Sequence, residues 1–465
     1  MSGSAPSAKL YSSMSDLVES LTTTQVIAEL FSDKSILRSM LHFEAALARA
    51  EAGSGIIPPA AADAITNIAN TAEFDSQALA QAAFRAGTVA IPFVQALTER
   101  VRAIDSKAAG FVHWGTTSQD VSDTALVLVL KQVRGVLEGD HSRLITALRG
   151  LSERYAETVM LGRTLLQPAP PITFGLKAAG WLAAARRGWT RIESAFDEAL
   201  ILQFGGASGT LAALGDKGIE VGTALAKELG LSYPDAPWHT HRDRLAALMA
   251  ALGVYTASLG KMARDIEQLM QMEVAEAAEP GGDGRGGSST MPHKRNPIAC
   301  SLTLAAAYRV PGLVATLLST MVQEHERATG GWQAELATIS ELVGAVGVAT
   351  GSMREAAEGL AINQAMMLAN IQATRGLVFA ERASMLLGSQ MGRDSAHELL
   401  EQAARQAATE GRGLTDVLKE IPEVMRVLSA ETLAGLEVPK AYLGMAHEFR
   451  ARLVRGNTNT DTPEE

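Results

Sequence analysis

The chain has 465 residues, of which 47% are hydrophobic and 5% aromatic, and its formal net charge is −10. This length allows a large core and more than one domain, and the negative charge argues against a nucleic-acid partner. The single cysteine, Cys300, excludes an internal disulfide and fits a reducing compartment. Residues 1–16 contain no apolar core of a secretory signal, and the glycine-broken uncharged run 199–215 makes a poor membrane span. We therefore expect a soluble, cytoplasmic protein with no membrane partner.

Apolar residues recur at helical spacing in four segments. In chain order their apolar positions are Ile36, Met40, Phe43 and Leu47; then Leu126, Leu130, Val133 and Leu137; then Ile266, Leu269, Met270 and Val274; then Val314, Leu318 and Met321. The first helix is predicted to end at GSGIIPP (residues 53–59) and the third to run up to EPGGDG (residues 279–284). No segment of convincing length alternates with period two, so strands are not expected.

The sequence thus predicts an all-α fold with long helices suited to a bundle. Shifts in helix length and polarity suggest three parts: an N-terminal helical domain (residues 1–112), a central long-helix bundle (residues 113–365) and a C-terminal helical domain (residues 366–465). The polar tail RGNTNTDTPEE (residues 455–465) is predicted to be disordered.

The stretch HWGTTSQDVSDT (residues 113–124) places polar side chains just before an apolar helix. Hydroxyls and free backbone N–H groups at a helix N-terminus bind carboxylates well, so this stretch is a candidate substrate site. Its members are Thr116, Thr117, Ser118 and Gln119. The alternative is that Thr117 or Ser118 only caps the helix.

The stretch GRTLLQPAPPIT (residues 162–173) has two prolines, Pro170 and Pro171, that fit the first turn of a helix starting near Ile172. A cation, a hydroxyl and an amide precede that turn, in the order Arg163, Thr164 and Gln167. The alternative is a proline-rich helix entry with solvated polar residues.

The stretch GGSSTMPHKRNP (residues 286–297) is a glycine-rich loop with adjacent hydroxyls, Ser288 and Ser289. It lacks the P-loop pattern, and the spacing of Lys294 and Asn296 lets both face one ligand in an extended loop. The alternative is a flexible linker, but linkers rarely end in Met-Pro-His-Lys-Arg-Asn-Pro.

Two further stretches hold candidate ligands. In QEHERATGGWQAE (residues 323–335), Arg327 could bind a carboxylate through two hydrogen bonds, unless it pairs with Glu324 on a helix surface. In WHTHRDR, His239 and His241 lack a third metal ligand, so we expect neither a metal nor another cofactor.

These stretches together resemble the fumarase/aspartase superfamily. Residues 287–297 match its signature G-S-S-x-M-P-x-K-x-N-P at every fixed position, and residues 116–124 and 162–171 are similar to its other two signature regions. The resemblance covers residues 20–450 and implies three helical domains and a homotetramer. It also implies active sites built from three chains and a small polycarboxylate substrate.

The superfamily breaks or makes a bond β to a carboxylate through an aci-carboxylate intermediate. By the resemblance, Ser288 exchanges the α-proton, and the loop closes over the substrate and excludes water. Lys294 and Asn296 would bind substrate carboxylate, and Thr117, Ser118, Gln119 and Thr164 would line the same site. Arg327 and Thr116 would hold further carboxylates, with His113 and His325 as nearby candidates.

The chain departs from several members of the superfamily where they carry a general acid. Leu165 replaces the histidine of the G-R-T-H-L-Q pattern, Pro168 stands at the catalytic histidine of adenylosuccinate lyases, and AGTVAIP (residues 86–92) replaces their other His-Asp pair. A carboxylate leaving group, with a pKa of about 4, needs no such acid, whereas an amine with a pKa of about 10 does.

The departures favour the branch of carboxymuconate cycloisomerases, which act in protocatechuate degradation by the β-ketoadipate route. There the substrate's own carboxylate adds across a double bond to form a γ-lactone, and the reverse reaction expels a carboxylate. An adenylosuccinate-lyase-like C–N lyase is the alternative, and a non-catalytic, crystallin-like structural protein is a remote one.

Overall fold

The computed structural model describes residues 16–282, 286–287, 291 and 294–456. Two compact units make up the chain. The first comprises Met1–His141, Gly188–Gly260 and Leu302–Gly351, and the second comprises Ser142–Arg187, Lys261–Ser301 and Ser352–Glu465. The three predicted domains, with boundaries at residues 113 and 366, stay a prediction. Disorder was predicted for residues 455–465, but Arg455 ends a helix, and residues 457–465 lie outside the described residues. The candidate residues Ser288 and Ser289 lie outside them as well.

Helices make up most of the described residues, which confirms the all-α prediction. The α-helices are α1 Asp16–Glu19, α2 Gln25–Leu30, α3 Asp33–Gly53, α4 Pro59–Thr71, α5 Ser76–Ala86, α6 Ala90–Arg102, α7 Ser118–Arg154, α8 Phe174–Ala199, α9 Gly218–Leu229, α10 Asp243–Met270, α11 Ile298–Thr320, α12 Gly331–Gly359, α13 Gln364–Ala373, α14 Ala380–Met391, α15 Arg393–Glu410, α16 Leu414–Lys419, α17 Pro422–Val427, α18 Ala430–Leu436 and α19 Ala446–Arg455. The strands are β1 Val159–Thr164, β2 Gln167–Thr173, β3 Ala277–Ala278 and β4 Ala361–Ile362. Short 3₁₀ turns connect some of these elements.

Helices α3 and α7 follow the predicted apolar periodicity. Helix α3 begins after Ser32, whose side chain accepts the backbone N–H of Ser35 at 3.3 Å and so caps the first turn. Its residues Met40, Phe43 and Leu47 are buried in the core of the first unit, where α3 packs against α4 and α9. In α7 the four predicted positions, Leu126 to Leu137, are all buried as well. The core therefore fixes the faces of both helices.

Two predicted helix ends were wrong. Helix α10 ends at Met270, so Val274 lies beyond it, and Ala275 has a positive φ of 49° that a helix cannot continue through. Helix α11 ends at Thr320, one residue before Met321. In both places an apolar residue just past the helix end matched the helical period by chance.

A hairpin of β1 and β2 occupies the second unit where the sequence predicted a helix entry. The strands are antiparallel, with Val159 opposite Thr173 and Thr164 opposite Gln167, and α8 begins only at Phe174. Pro170 and Pro171 therefore lie in a strand and not in a first helical turn. Proline lacks a donor N–H and is tolerated on edge strands, and both strands of this hairpin pair are edges.

Three helices, α10, α11 and α12, are long and apolar enough to cross a membrane by length and composition alone. In α12, 72% of the most apolar window is buried inside the protein, so core packing accounts for its hydropathy. In α11 only 33% is buried, and Tyr308 and Leu318 are 69% and 50% exposed. Helix α11 therefore presents an apolar surface.

Candidate active site

The N-terminus of α7 is built around the carboxylate of Asp120. Asp120 accepts the backbone N–H of Thr117 at 3.1 Å and the hydroxyl of Thr116 at 3.0 Å, while the carbonyl of Thr117 accepts the backbone N–H of Asp120. This is the backward half of a capping box, in which an acid three residues into the helix satisfies the N-cap N–H. The hydroxyls of Thr117 and Ser118 are thereby left free to face other partners.

Two glycines bring a second backbone segment onto the same carboxylate. Gly205 and Gly206 donate their N–H groups to Asp120 at 3.1 and 2.9 Å, and His239 contacts it through Nε2 at 2.6 Å. A Cβ on Gly205 would lie 2.6 Å from Pro237, and Gly206 has a φ of +68°. The two glycines of FGGASG (residues 204–209) therefore permit this close approach.

Arg327 lies at this helix N-terminus. Its guanidinium donates to the hydroxyl of Thr117 at 2.8 Å and to that of Ser118 at 3.3 Å. No carboxylate within residues 16–282 or 294–456 forms an ion pair with it. A half-buried cation with two hydroxyls and no counter-ion is suited to a ligand carboxylate.

Arg327 lies in a loop, which we call the Arg327 loop (residues 321–330), between α11 and α12. The alternative of a helix-surface pair with Glu324 is therefore wrong, and Glu324 instead accepts the backbone N–H of Thr329 at 3.2 Å. His325 is exposed, has a φ of +49°, and its carbonyl accepts the hydroxyl of Thr240 at 2.9 Å.

A buried ion triad of Asp123, Arg242 and Glu335 underlies this loop. Arg242 donates to both oxygens of Asp123 at 2.7 and 3.1 Å and also to Glu335, its closest contact there being 2.5 Å. All three residues are at most 5% exposed. The guanidinium also lies 4.7 Å from the centre of the Trp238 ring.

Charge within the triad shifts the pKa of each member. Burial alone would raise the pKa of Asp123, but the charge and hydrogen bonds of Arg242 lower it below its usual range. Burial raises the pKa of Glu335, and Arg242 only partly opposes this. The pKa of Arg242 is raised by the two carboxylates despite its burial. A buried triad with one net negative charge needs neutral donors, and four side chains supply them.

Two of those donors flank Arg327, one in the Arg327 loop and one in the first turn of α12. Gln323 donates to Glu335 at 3.0 Å, and Trp332 donates its indole N–H to Asp123 at 2.9 Å. Gln119 and Gln203 donate to Asp123 at 3.2 and 3.1 Å. Gln119 is almost fully buried, so its contact is with the triad rather than with solvent.

The ion triad was missed in the sequence because its members are separated by more than 90 residues. Charged residues at such spacing show no local pattern, and WHTHRDR was considered only as a metal site. Arg242 lies in that stretch and was its informative residue. His239 serves as the partner of Asp120.

His113 precedes the Thr116–Gln119 segment and lies in the first unit. It has a positive φ of 59°, and its Nδ1 is 2.5 Å from the buried carboxylate of Glu44 on α3. Burial alone would lower its pKa, but the charge and hydrogen bond of Glu44, with Asp120 behind it, raise it. The contact with Glu44 therefore fixes the start of the segment.

The second unit holds the other candidate residues. Thr164 and Gln167 are exposed and flank a two-residue turn, Leu165–Leu166, in which both φ values are positive. Arg163 donates to both oxygens of the buried Glu276 at 2.9 and 2.7 Å, and Asn370 donates to the same carboxylate. The charge of Arg163 is thus already matched, so it anchors the hairpin.

Lys294 and Asn296 lie just before α11. The backbone N–H of Asn296 donates to the carbonyl of Gly286 at 2.9 Å, and a Cβ on Gly286 would lie 2.8 Å from the carbonyl of Asn296. Gly286 is therefore required where the loop closes. The side chain of Lys294 is exposed. Glu279 accepts the N–H groups of Ala299 and Cys300, so the first turn of α11 is already capped by an anion.

Comparison with known proteins gives the family. The sequence profile of the family described as "Lyase" matches residues 20–312, and that of "Adenylosuccinate lyase C-terminus" matches residues 376–453. The chain is 46% identical over 441 residues to a 3-carboxy-cis,cis-muconate cycloisomerase of Bradyrhizobium diazoefficiens, covering 95% of this chain and 98% of that protein. It is 47% identical to one of Pseudomonas aeruginosa, covering 91% and 92%.

A solved structure leads to the same grouping. The crystal structure of 3-carboxy-cis,cis-muconate lactonizing enzyme from Pseudomonas putida aligns with a TM-score of 0.89 at 44% sequence identity, covering 95% of this chain and 98% of that one. Family profile, sequence and fold agree over almost the whole chain. The chain therefore belongs to the lyase family of the fumarase/aspartase superfamily, whose signature loop it carries.

Proposed function

We propose that this protein catalyses the reversible lactonisation of 3-carboxy-cis,cis-muconate to 4-carboxymuconolactone, a step of protocatechuate degradation. The relatives named for this reaction are as long as this chain and similar over nearly all of it. The observation that carries the proposal is the contact of Arg327 with the hydroxyls of Thr117 and Ser118. A cation that forms no ion pair within the described residues and lies at a helix N-terminus suits a polyanionic substrate.

The chemistry requires a proton at the α-carbon and stabilisation of an extra negative charge. Ser288 is the proposed proton donor in the lactonising direction, and Lys294 and Asn296 are the proposed ligands of the carboxylate that becomes an aci-carboxylate. Fixed cations and dipoles placed where charge develops lower the barrier without reorganisation. Thr116, Thr117 and Ser118 from one segment, and Thr164 and Gln167 from another, complete the proposed site. The buried Gln119 supports the first segment through its hydrogen bond to Asp123.

The leaving group of the reverse reaction explains the absence of a histidine at position 165. A carboxylate, with a pKa of about 4, departs without a proton, whereas hydroxide would leave as a base whose conjugate acid has a pKa of about 15.7. Leu165 is 97% exposed at the tip of the hairpin, with a φ of 50°. An apolar side chain there can exclude water from a substrate and cannot donate a proton to it.

We also propose that the active enzyme is a homotetramer with sites shared between chains. The apolar surface of α11, with Tyr308 and Leu318 exposed, supports burial against other copies. A cytoplasmic location agrees with the single cysteine, Cys300, which is buried and reduced.

The decisive experiment is an ultraviolet assay of 3-carboxymuconate with the purified protein. We expect loss of diene absorbance and a γ-lactone as the product by NMR, with Ser288→Ala folded and inactive. A folded wild-type protein that leaves the diene unchanged would exclude this function.

An adenylosuccinate-lyase-like C–N lyase is the second candidate, because residues 376–453 match the C-terminal profile of that enzyme. It would need a proton donor for an amine leaving group, with a pKa near 10. Release of fumarate from adenylosuccinate, measured beside the diene assay, separates the two functions.

A further inference from the structure

A groove in the first unit, remote in sequence from the Arg327 loop, is lined mainly by cations and hydroxyls. It has a volume of about 840 Å³ and lies between α3, α7 and the ends of α4 and α9. Four basic side chains line it, and we call it the cationic groove: Lys34, Arg38 and His42 from α3, and Lys131 from α7. The chain as a whole carries a net charge of −10, opposite in sign to this cluster.

The positive charge of the groove is not neutralised by its own lining. Glu29 is the single acid among the lining residues, and its carboxylate accepts the amide of Gln25 at 2.9 Å. Across the parts of the chain that the structure describes, Lys34 and Arg38 form no ion pair with any carboxylate. Lys131 donates to the backbone carbonyl of Gly230 at 2.7 Å, a neutral partner that leaves its charge unmatched.

The state of His42 agrees with an excess of positive charge. Burial lowers its pKa first, the nearby Arg49 and Lys131 lower it further, and Glu228 only partly opposes them. Arg49 and Glu228 form an ion pair with each other, so they add no net charge. A neutral His42 can offer an N–H donor to an anion.

The spacing of the basic residues along α3 selects an elongated ligand. Lys34, Arg38 and His42 are four residues apart, so successive side chains lie roughly 6 Å apart along one face of α3. One phosphate cannot contact both ends of such a row. A six-carbon dicarboxylate, with its carboxylates roughly 6 Å apart across five C–C bonds, can contact two neighbouring cations at once. The volume is also within the ~300–1,000 Å³ of small-molecule pockets.

We propose that the cationic groove is a second small-molecule site, separate from the candidate active site, that binds an elongated di- or tricarboxylate. Arg38 at the centre of the row and Lys34 at its end hold the two carboxylates, and Lys131 closes the opposite wall. The hydroxyls of Ser32 and Ser35 line the Lys34 end of the row.

Lysine acetylation footprinting tests this proposal on the intact wild-type protein. Limited acetylation with and without adipate, read by mass spectrometry, gives the reactivity of each lysine separately. We expect adipate to slow acetylation of Lys34 about threefold when two-thirds of the sites are occupied. Lys107, exposed elsewhere in the first unit, should react at an unchanged rate.

A pair of charge-matched variants locates the site. In Arg38→Gln, roughly ten times more adipate should be needed to protect Lys34 to the same extent, because a charge-assisted hydrogen bond is lost. Arg85→Gln removes an exposed cation from α5 and should leave the protection unchanged.

Several results would overturn the proposal. One is that Lys34 does not react with the reagent even without ligand, and another is that adipate protects Lys107 as much as Lys34. A third is that both variants lose protection equally. The last is that phosphate protects Lys34 as well as adipate does at equal ionic strength. The measurement involves no turnover, so it stands apart from the test of catalytic function.

Discussion

Gln323, near the start of the Arg327 loop, and Trp332, in the first turn of α12 just beyond its end, both donate hydrogen bonds to the same buried ion triad. Gln323 reaches Glu335 at 3.0 Å and Trp332 reaches Asp123 at 2.9 Å. Asp123 lies on α7, little more than one turn beyond Ser118, which Arg327 contacts. The triad therefore holds the loop and the helix N-terminus to one rigid support, and it sets where the guanidinium of Arg327 points.

Trp332→Phe removes one of these two attachments while keeping an aromatic ring. A hydrogen bond to a charged group contributes about 1.5–3 kcal/mol. Part of the free energy of the bond from Trp332 to Asp123 serves to position Arg327. We expect KM to rise about threefold to tenfold with a smaller change in kcat, because ground-state carboxylate binding suffers first. Steady-state kinetics and thermal unfolding measure the two effects.

Trp181→Phe is the matched control. It also removes an indole hydrogen bond to an aspartate, Asp265 at 2.7 Å, but in the second unit. It should lower the melting temperature and leave KM near the wild-type value. Equal changes in KM for both variants would mean that lost stability, not loop position, causes the effect.

Arg327→Lys tests the guanidinium itself. Lysine keeps the charge but cannot donate in parallel to the hydroxyls of Thr117 and Ser118 and to a carboxylate. We expect KM for the tricarboxylate to rise by about tenfold or more, which corresponds to a loss of about 1.4 kcal/mol or more of binding free energy. Arg309→Lys, at an exposed arginine paired with Glu341 at 3.2 Å, should leave KM unchanged. A wild-type KM for Arg327→Lys would remove this residue from the substrate site.

The sequence predicted the elements whose apolar periodicity continues over many turns. Helices α3 and α7 carry buried residues at the predicted positions because one core face selects them throughout. The polar segment before α7 was also found, since hydroxyls before an apolar run are a local pattern. Arg327 was found by its residue type, although its loop was open to a helical interpretation until the structure was known.

The rest could not be predicted, for two physical reasons. Pro170 and Pro171 satisfy both a first helical turn and an edge strand, and only the pairing with β1, a contact outside the local window, decides between them. The ion triad joins residues 123, 242 and 335, so its pattern exists only in three dimensions. Its one visible sign was an arginine directly after His241.

Glu51→Gln tests a buried acid that the proposed reaction does not use. Glu51 is 1% exposed, and burial together with the charge of Glu44 raises its pKa to about 9. The folded pKa lies above the unfolded value of about 4.5. The contribution of Glu51 to the stability of the folded protein is therefore fully present below pH 4.5. That contribution is lost as the pH rises through about 9. Wild-type stability should therefore fall across this window.

Glutamine keeps the shape of the protonated acid and has no proton to lose. The variant should therefore be more stable than wild type at pH 7, by an amount on the order of 3 kcal/mol, with the difference shrinking toward pH 5. Thermal unfolding at pH 5, 7 and 8 measures this. Glu73→Gln, at an exposed acid, should show no such pH-dependent gain. If the melting temperatures of Glu51→Gln and wild type changed in parallel with pH, Glu51 would be ionised in the folded protein.

Mixed oligomers test whether the active site is shared between chains. Thr117→Val removes the hydroxyl that Arg327 contacts at 2.8 Å, and Ser288→Ala removes the proposed proton donor. Each homotetramer should be inactive, while co-refolded mixtures should regain activity, because some sites draw both intact segments from different chains. With random mixing about a quarter of wild-type activity is expected if two segments from two chains decide the outcome. Ser288→Ala refolded alone in parallel gives the background activity. If native mass spectrometry detects mixed tetramers and no activity returns, each site is built within a single chain.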